Sequence, residues 1–93
     1  MNNKTLANLL KAQKDEITEY HIYNRLAAKI KDQNNSEILK SIGNDELRHY
    51  EVWKRHTGKE VKPSMFKVRW YVFISRFLGI TFGIKMMERG EEQ

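Results

Sequence analysis

The sequence contains no cysteine, and this absence removes several kinds of site at once. Disulfide bonds, iron–sulfur clusters and thiolate zinc sites all need cysteine sulfur. A metal ion bound by this chain would therefore be held by oxygen and nitrogen ligands, which suit iron, manganese or zinc better than copper(I). A chain without cysteine also fits a reducing compartment, and we expect a cytoplasmic protein.

The sequence also lacks a long apolar run and has a single proline, Pro63. No stretch of about 18 uncharged apolar residues occurs, so a membrane-spanning helix is not predicted. The polar N-terminus leads straight into a helical pattern and shows no signal peptide. The 93 residues fit a single domain, and a domain of that size is often stabilised by a metal or by a partner chain.

Basic residues outnumber acidic ones, 17 to 12, and the excess is concentrated in one part of the sequence. Between Lys54 and Arg76 the only acid is Glu60. The basic residues of this segment are Lys54, Arg55, Lys59, Lys62, Lys67, Arg69 and Arg76. With the aromatic residues around them, they allow contact with a membrane surface or an acidic partner, whereas the plainer interpretation is a solvated surface. Nucleic-acid binding is not expected, because no reader motif accompanies the charge.

Apolar residues recur at three- and four-residue spacing and predict an all-α fold. The predicted helical segments are residues 5–31, 36–57 and 66–93, in one domain that spans residues 1–93. Ser36 is the expected N-cap of the second segment, and Gly79 and Gly83 are expected to break or bend the third. Only a short polar connection separates the first two segments, so they should form an antiparallel hairpin.

Polar residues interrupt the apolar seams that should join these two helices. The seam of the first helix contains Gln13 and Glu16, and that of the second contains Glu46 and His49. A carboxylate in a helical seam is costly unless it is paired or bound to a metal. Residues at i and i+3 project from one face of a helix, so Glu46 and His49 can deliver an oxygen and a nitrogen to one ion. We therefore predict Glu16, Glu46 and His49 as metal ligands, with a surface ion pair or a capped core histidine as the alternative.

Residues 16–23 and 44–49 resemble the first helix pair of the rubrerythrin group of ferritin-like di-iron carboxylate proteins. In that family a helix glutamate is followed seven residues later by tyrosine, as Glu16 is by Tyr23, and the next helix carries Glu-x-x-His. Residues 79–92 resemble the linker to the third bundle helix. The resemblance implies a ferritin-like fold, a di-iron site and a further ligand, Glu91, with Glu88 as the alternative. The family's second Glu-x-x-His and its cysteine-rich iron module are missing, so the likeness is to an N-terminal half-bundle and fits a truncated domain.

Four residues close to the predicted ligands are candidates for hydrogen bonds to them rather than for direct coordination. Glu19 follows Glu16 by about one turn and is expected beside the seam, either solvated or supporting a ligand. Tyr20 and Tyr23 are expected to be core aromatic residues, with a hydrogen bond to a ligand carboxylate as the alternative. Asp45 is expected either to support the ligand histidine of a facing helix or to lie on the surface.

These predictions combine into one expected assembly and one expected activity. A di-iron bundle site needs about four carboxylates and two histidines, and one chain offers about half of that set. A homodimer, or a multiple of one, would complete both the site and a four-helix bundle, with the third segment packed outside or across the partner. The expected function is iron binding and oxidation of Fe(II) by dioxygen or peroxide, with manganese or zinc as alternative ions. The rival interpretation is a non-catalytic helical interaction module that uses its basic aromatic segment.

Overall fold

Four helices account for nearly all of the computed structural model, which describes residues 2–92 and the side chains of residues 2–90. They are α1 (Asn3–Lys29), α2 (Gln33–Thr57), α3 (Met65–Leu78) and α4 (Ile80–Glu92). No strand occurs among the described residues, which confirms the all-α prediction. Within residues 2–92, no helix is both long enough and apolar enough to cross a membrane.

The α1 and α2 helices run antiparallel, as predicted. Near the end of α1, the Ser36 hydroxyl of α2 donates a hydrogen bond of 2.8 Å to the Ala27 carbonyl oxygen. Near the start of α1, the Thr57 hydroxyl donates to the side-chain oxygen of Gln13, also at 2.8 Å. The beginning of each helix therefore lies beside the end of the other, and the mid-helix residues of the two face each other.

The second helix begins at Gln33, earlier than predicted, and the assignment of Ser36 as its N-cap is wrong. The cap is Asp32, whose carboxylate accepts a hydrogen bond of 2.9 Å from the Asn35 amide. An aspartate satisfies the free amides of a first helical turn as well as serine does, so the polar connection contributes to the helix. The helix ends at Gly58, whose φ of 68° is the left-handed conformation that glycine adopts readily.

The predicted third segment is two helices, and the stretch that resembles a linker is helical from Ile80 onward. The break is at Gly79, whose φ of 99° suits glycine. Gly83 does not break the chain, because it lies inside α4 and packs against α3. A Cβ atom at Gly83 would lie 3.0 Å from the Ser75 Cβ and would collide with its hydroxyl, so the missing side chain allows the two helices to approach closely.

The first helix packs against α2 on one side and against α3 on another. Its seam toward α2 was predicted, but its second apolar face, which includes Ile22 and Leu26, was not. The α3 helix covers α1 of its own chain and so lies outside the α1–α2 hairpin, which is one of the two predicted placements; packing across a partner stays a prediction. All four helices contribute to the core, whose members are Ile22, Tyr23, Leu26, Ala27, Leu39, Val68, Val72 and Met87.

Buried polar side chains hold the loop between α2 and α3 against the first hairpin. Gln13 is fully buried, and its amide nitrogen donates a hydrogen bond of 2.6 Å to the Lys59 carbonyl oxygen. The Thr18 hydroxyl accepts a hydrogen bond of 3.0 Å from the Ser64 amide. Gln13 thus interrupts the apolar seam because its side chain holds the loop in place. A buried amide needs hydrogen-bond partners, and the loop provides one.

Candidate metal centre

Two carboxylates and an imidazole meet where α1 crosses the middle of α2. The His49 Nδ1 atom lies 3.4 Å from Glu16 Oε2 and 3.9 Å from Glu46 Oε1. One ligand atom of each of the three residues lies within 4.8 Å of the other two. The structure therefore brings together the three residues that the sequence analysis selected as ligands.

A glycine permits the close approach of the two helices beside this cluster. Gly43 is buried one turn before Glu46, and a Cβ atom added to it would lie 3.1 Å from the Tyr23 Cβ. It would also lie 3.6 Å from the Tyr20 carbonyl oxygen. The sequence analysis missed Gly43, although a glycine inside a helical pattern costs about 1 kcal/mol relative to alanine and so signals a packing requirement.

The cluster lies at an edge of the α1–α2 interface rather than at its centre. The Glu16 and Glu46 side chains are 20% and 17% exposed, and that of His49 is 57% exposed. The buried residues of α2 are Ser36, Leu39, Gly43 and Tyr50. The predicted seam of α2 is therefore wrong at His49, and Ile42, seven residues earlier on the same three- and four-residue spacing, is also exposed. Three- and four-residue spacing fits more than one face of a helix, and here it selected the face beside the interface.

The spacing and chemistry of the donor atoms fit a first-row divalent ion. Such ions bind nitrogen and oxygen at about 2.0–2.2 Å, which places adjacent ligands about 3 Å apart and opposite ligands about 4.2 Å apart. The two separations measured from His49, 3.4 and 3.9 Å, fall within that range. Two carboxylates and one imidazole suit iron, manganese or zinc. Three ligands also leave coordination positions for water, substrate or further side chains.

An open, mainly apolar depression adjoins the cluster. It has a volume of about 280 Å³, and its walls are Glu16, His49, Val52 and Trp53. Val52 is 40% exposed, although valine is usually buried. The depression is thus a surface on which the side chains of another helix could pack next to the donor atoms.

Glu19 is placed differently from the other acids of α1. Its side chain belongs to the buried set, with a residue exposure of only 8%, so the expectation of a solvated Glu19 is wrong. It lines a cavity of about 20 Å³, room for about one water, together with Asp15 of α1 and Lys67 and Tyr71 of α3. The cause is the packing of α3 on the second face of α1, which the seam analysis omitted.

The other residues expected near the ligands divide between the core and the surface. Tyr23 is 4% exposed and belongs to the core, as its primary interpretation predicted. Tyr20 is half-buried, and the edge of its ring faces His21 at a centroid distance of 5.2 Å. Asp45 forms an ion pair with Arg48 on the surface of α2, which matches the second of its two predicted roles.

The further ligand predicted in the C-terminal part falls outside the described side chains. Glu91 lies within α4, but the description of side chains ends at residue 90. Its alternative, Glu88, is exposed on α4 and is not a member of the carboxylate–histidine group that residues 2–90 form. The role of Glu91 stays a prediction.

One histidine outside the cluster has a shifted pKa. Burial lowers the pKa of His21 from its usual value of 6.5, and the nearby Arg25 cation lowers it further. Both effects disfavour the protonated imidazole. His21 lies on α1 and is not a member of the carboxylate–histidine group.

The fold and the cluster define a class of protein, a helical bundle-like chain that carries a carboxylate–histidine group. Comparison of the chain with protein-family models, curated proteins and solved structures found no match. The resemblance to rubrerythrin-type proteins therefore depends on the residues described above and stays a prediction.

Proposed function

We propose that the chain is a rubrerythrin-type iron protein that binds iron through Glu16, Glu46 and His49 and oxidises Fe(II). The observation that supports this proposal is the convergence of donor atoms from two helices, with the His49 nitrogen 3.4 and 3.9 Å from the two carboxylates and all three donors within 4.8 Å of one another. Neighbouring carboxylates repel each other when both are ionised, and a bound cation removes that cost. The chemistry of the ligands admits manganese and zinc as well, so the metal content of the purified protein decides among the three ions.

The proposed site is shared between two chains. One chain supplies two carboxylates and one histidine, and a di-iron bundle site needs about twice that number. The cluster lies at an exposed edge, and Ile42, Val52 and Trp53 provide apolar surface on the same helix. A two-fold axis beside this edge would set two clusters side by side and bury the apolar surface of both chains. Isologous pairing of this kind is the commonest form of oligomer.

The chemistry expected of such a site is the oxidation of Fe(II) as a substrate. Each of two Fe(II) ions gives up one electron, and hydrogen peroxide takes both electrons and two protons to leave as two waters. With dioxygen, the same two electrons and two protons yield hydrogen peroxide. Glu16 and Glu46 favour the ferric product because carboxylates are hard anionic ligands. His49 contributes a nitrogen donor and must be neutral to do so.

Iron stoichiometry tests the ligands directly. Glu46→Gln keeps the size of the side chain and removes its charge, and it should abolish most of the bound iron, as should His49→Asn. Glu51→Gln makes the same change at an exposed acid of α2 and is the matched control. Elemental analysis and the rate of Fe(II) oxidation under dioxygen or peroxide provide the measurements. Iron retained by both ligand variants at the wild-type stoichiometry would refute the assignment.

The mass of the protein in solution tests the shared site. Light scattering of the iron-loaded wild type should give a dimer or a multiple of one, and iron should promote association, since a ligand that binds only the dimer favours it by mass action. A stable, iron-loaded monomer at micromolar concentration would contradict the shared site. If the protein is a dimer but its monomers, once separated, keep all the iron, then each ion is held within one chain. That result would support the dimer and refute the shared site.

A further inference from the structure

The third helix carries a row of exposed aromatic residues on the face that points away from the core. Phe66, Trp70, Phe73 and Phe77 follow one another at spacings of four, three and four residues, which places them on one side of the helix. They are 79%, 47%, 54% and 67% exposed. We call these four residues the aromatic stripe. Exposure of this much contiguous aromatic surface marks an interaction site.

Three of the four rings of the aromatic stripe lie against one another. Trp70 and Phe73 stack with their centroids 6.3 Å apart, and Phe73 and Phe77 are 4.6 Å apart. The opposite face of the same helix is occupied by the core, where Val68 is fully buried and Ser75 is 3% exposed. Packing within the chain therefore accounts for one face of α3 and leaves the aromatic stripe without a partner among the described residues.

The charged residues of the helix that carries the aromatic stripe all have one sign. The charged residues of α3 are Lys67, Arg69 and Arg76, and the helix contains no acid. Arg69 also lines an open hollow with Phe66, Trp70 and Phe73. Two copies of α3 packed stripe to stripe would bring only cations together, which opposes self-association. A complementary surface must therefore be anionic as well as apolar.

We propose that the aromatic stripe binds the surface of an anionic lipid membrane. Phenylalanine and tryptophan on one face of a helix, with arginine and lysine at its edges, are typical of helices that lie in the plane of the membrane interface. The basic residues attract anionic headgroups, and their long side chains allow the rings to enter the acyl boundary. The four rings are 47–79% exposed, and three of them surround an open hollow, so a deformable lipid surface can fit around them. The proposal concerns a different surface from the carboxylate–histidine cluster and does not depend on iron.

Vesicle binding by the full chain tests the proposal. Flotation with vesicles of equal parts phosphatidylglycerol and phosphatidylcholine should carry the protein upward at low salt, whereas vesicles of phosphatidylcholine alone should carry much less. Phe73→Ser with Phe77→Ser should weaken binding roughly tenfold or more, because each buried phenylalanine contributes a large apolar area. Arg69→Gln with Arg76→Gln should weaken it roughly tenfold to thirtyfold. Matched controls are Ile38→Ser and Arg25→Gln, which change exposed residues of α2 and α1.

A spectroscopic measurement places the helix in the interface. The chain has two tryptophans, so a Trp53→Phe variant leaves Trp70 as the only one. Its emission should shift to shorter wavelength when the phosphatidylglycerol vesicles are added, and the Phe73→Ser, Phe77→Ser pair should reduce that shift. No flotation at low salt, or flotation unchanged by both pairs of substitutions, would overturn the proposal. Binding to polyglutamate as tight as binding to the phosphatidylglycerol vesicles would also overturn it, because the partner would then be an acidic polypeptide. If the wild type bound no lipid and the stripe variants had a lower molecular mass than the wild type, the partner would be a second copy of the chain.

Discussion

The α1–α2 pair and the α3–α4 pair expose surfaces of opposite chemistry. The first pair presents two carboxylates and an imidazole beside an apolar depression. The second presents the aromatic stripe, and its helix α3 has three basic residues and no acid. The helix α1 lies between the two surfaces and packs against both α2 and α3. The carboxylate–histidine cluster and the aromatic stripe thus lie on different helix pairs, so we expect substitutions to alter one without the other as long as α1 stays packed on both sides.

The largest effect should come from placing a charge on the exposed face of the first pair. Ile42→Glu puts a carboxylate in the surface proposed to join two chains, and an unpaired charge in such an interface costs about 3 kcal/mol or more. We expect the dissociation constant of the dimer to rise by roughly a hundredfold or more and iron binding to fall with it. Sedimentation or light scattering over a concentration series measures the first, and elemental analysis the second.

The control for this prediction is Asn44→Glu, which adds the same charge at an exposed residue of the same helix. It should leave both association and iron content near the wild-type values, and Ile42→Glu should still bind phosphatidylglycerol vesicles. An Ile42→Glu protein with an unchanged dissociation constant would show that this face does not join the chains. The proposal that the aromatic stripe binds lipid would then stand, and the proposal that the α1–α2 face joins two chains would not.

Sequence patterns were sufficient for the all-α fold and for selecting the three residues that meet in the cluster, but not for all helix boundaries or for the burial of the side chains. The donor atoms meet because Glu46 and His49 are three residues apart on one helix and Glu16 lies at a matching height on the antiparallel partner. Both features can be read from the residue spacing and the short connection between the helices. Burial is not local, because it depends on which face of a helix meets its neighbour. The predicted seam gave α1 a single partner, so Glu19 was expected beside the seam, either solvated or supporting a ligand, and the face that contains Ile22 was not predicted to be buried. The packing of α3 on α1 corrects both.

A smaller effect should come from substitutions at Gly43 and Gly83, each of which lies at a close contact between the two helices of its pair. Gly43→Val pushes against the Tyr23 Cβ, and Gly83→Val pushes against Ser75. Excess volume at a close contact typically costs about 1–3 kcal/mol, so both variants should melt at lower temperature. Only Gly43→Val should also lower the affinity for iron, because only that substitution separates the helices that carry the ligands.

Ser41→Val is the control for this pair, since it adds a β-branched residue at an exposed position of α2. It should change the melting temperature much less than Gly43→Val does. Thermal melting followed by circular dichroism and titration with Fe(II) under anaerobic conditions provide the two measurements. If Gly83→Val lowered the affinity for iron as much as Gly43→Val, a change in the α3–α4 pair would affect the cluster on the α1–α2 pair. The expectation that the two pairs can be altered separately would then be wrong.

The smallest effect we expect concerns His21, on α1, the helix that packs against both α2 and α3. Its pKa is lowered from 6.5, first by burial and then by Arg25, so the unfolded chain binds a proton to this imidazole more tightly than the folded chain does. The stability that neutral His21 contributes is therefore complete above pH 6.5. It is lost as the pH falls through 6.5 and then through the lower pKa of the folded state.

Replacing His21 with glutamine removes this difference in proton binding. Between about pH 7.5 and about pH 5, where histidine titrates, the melting temperature of metal-free His21→Gln should fall less than that of the wild type. His56→Gln, at an exposed histidine of α2, controls for the loss of an imidazole elsewhere. Iron binding by His21→Gln should keep its own pH dependence, because His49 coordinates only when it is neutral. If wild type and His21→Gln lost the same number of degrees, His21 would not contribute, and acid would act on the fold through other groups. If the pH dependence of iron binding also differed between His21→Gln and the wild type, protonation of His21 would affect the cluster through α1. The expectation that His21 acts on stability alone would then be wrong.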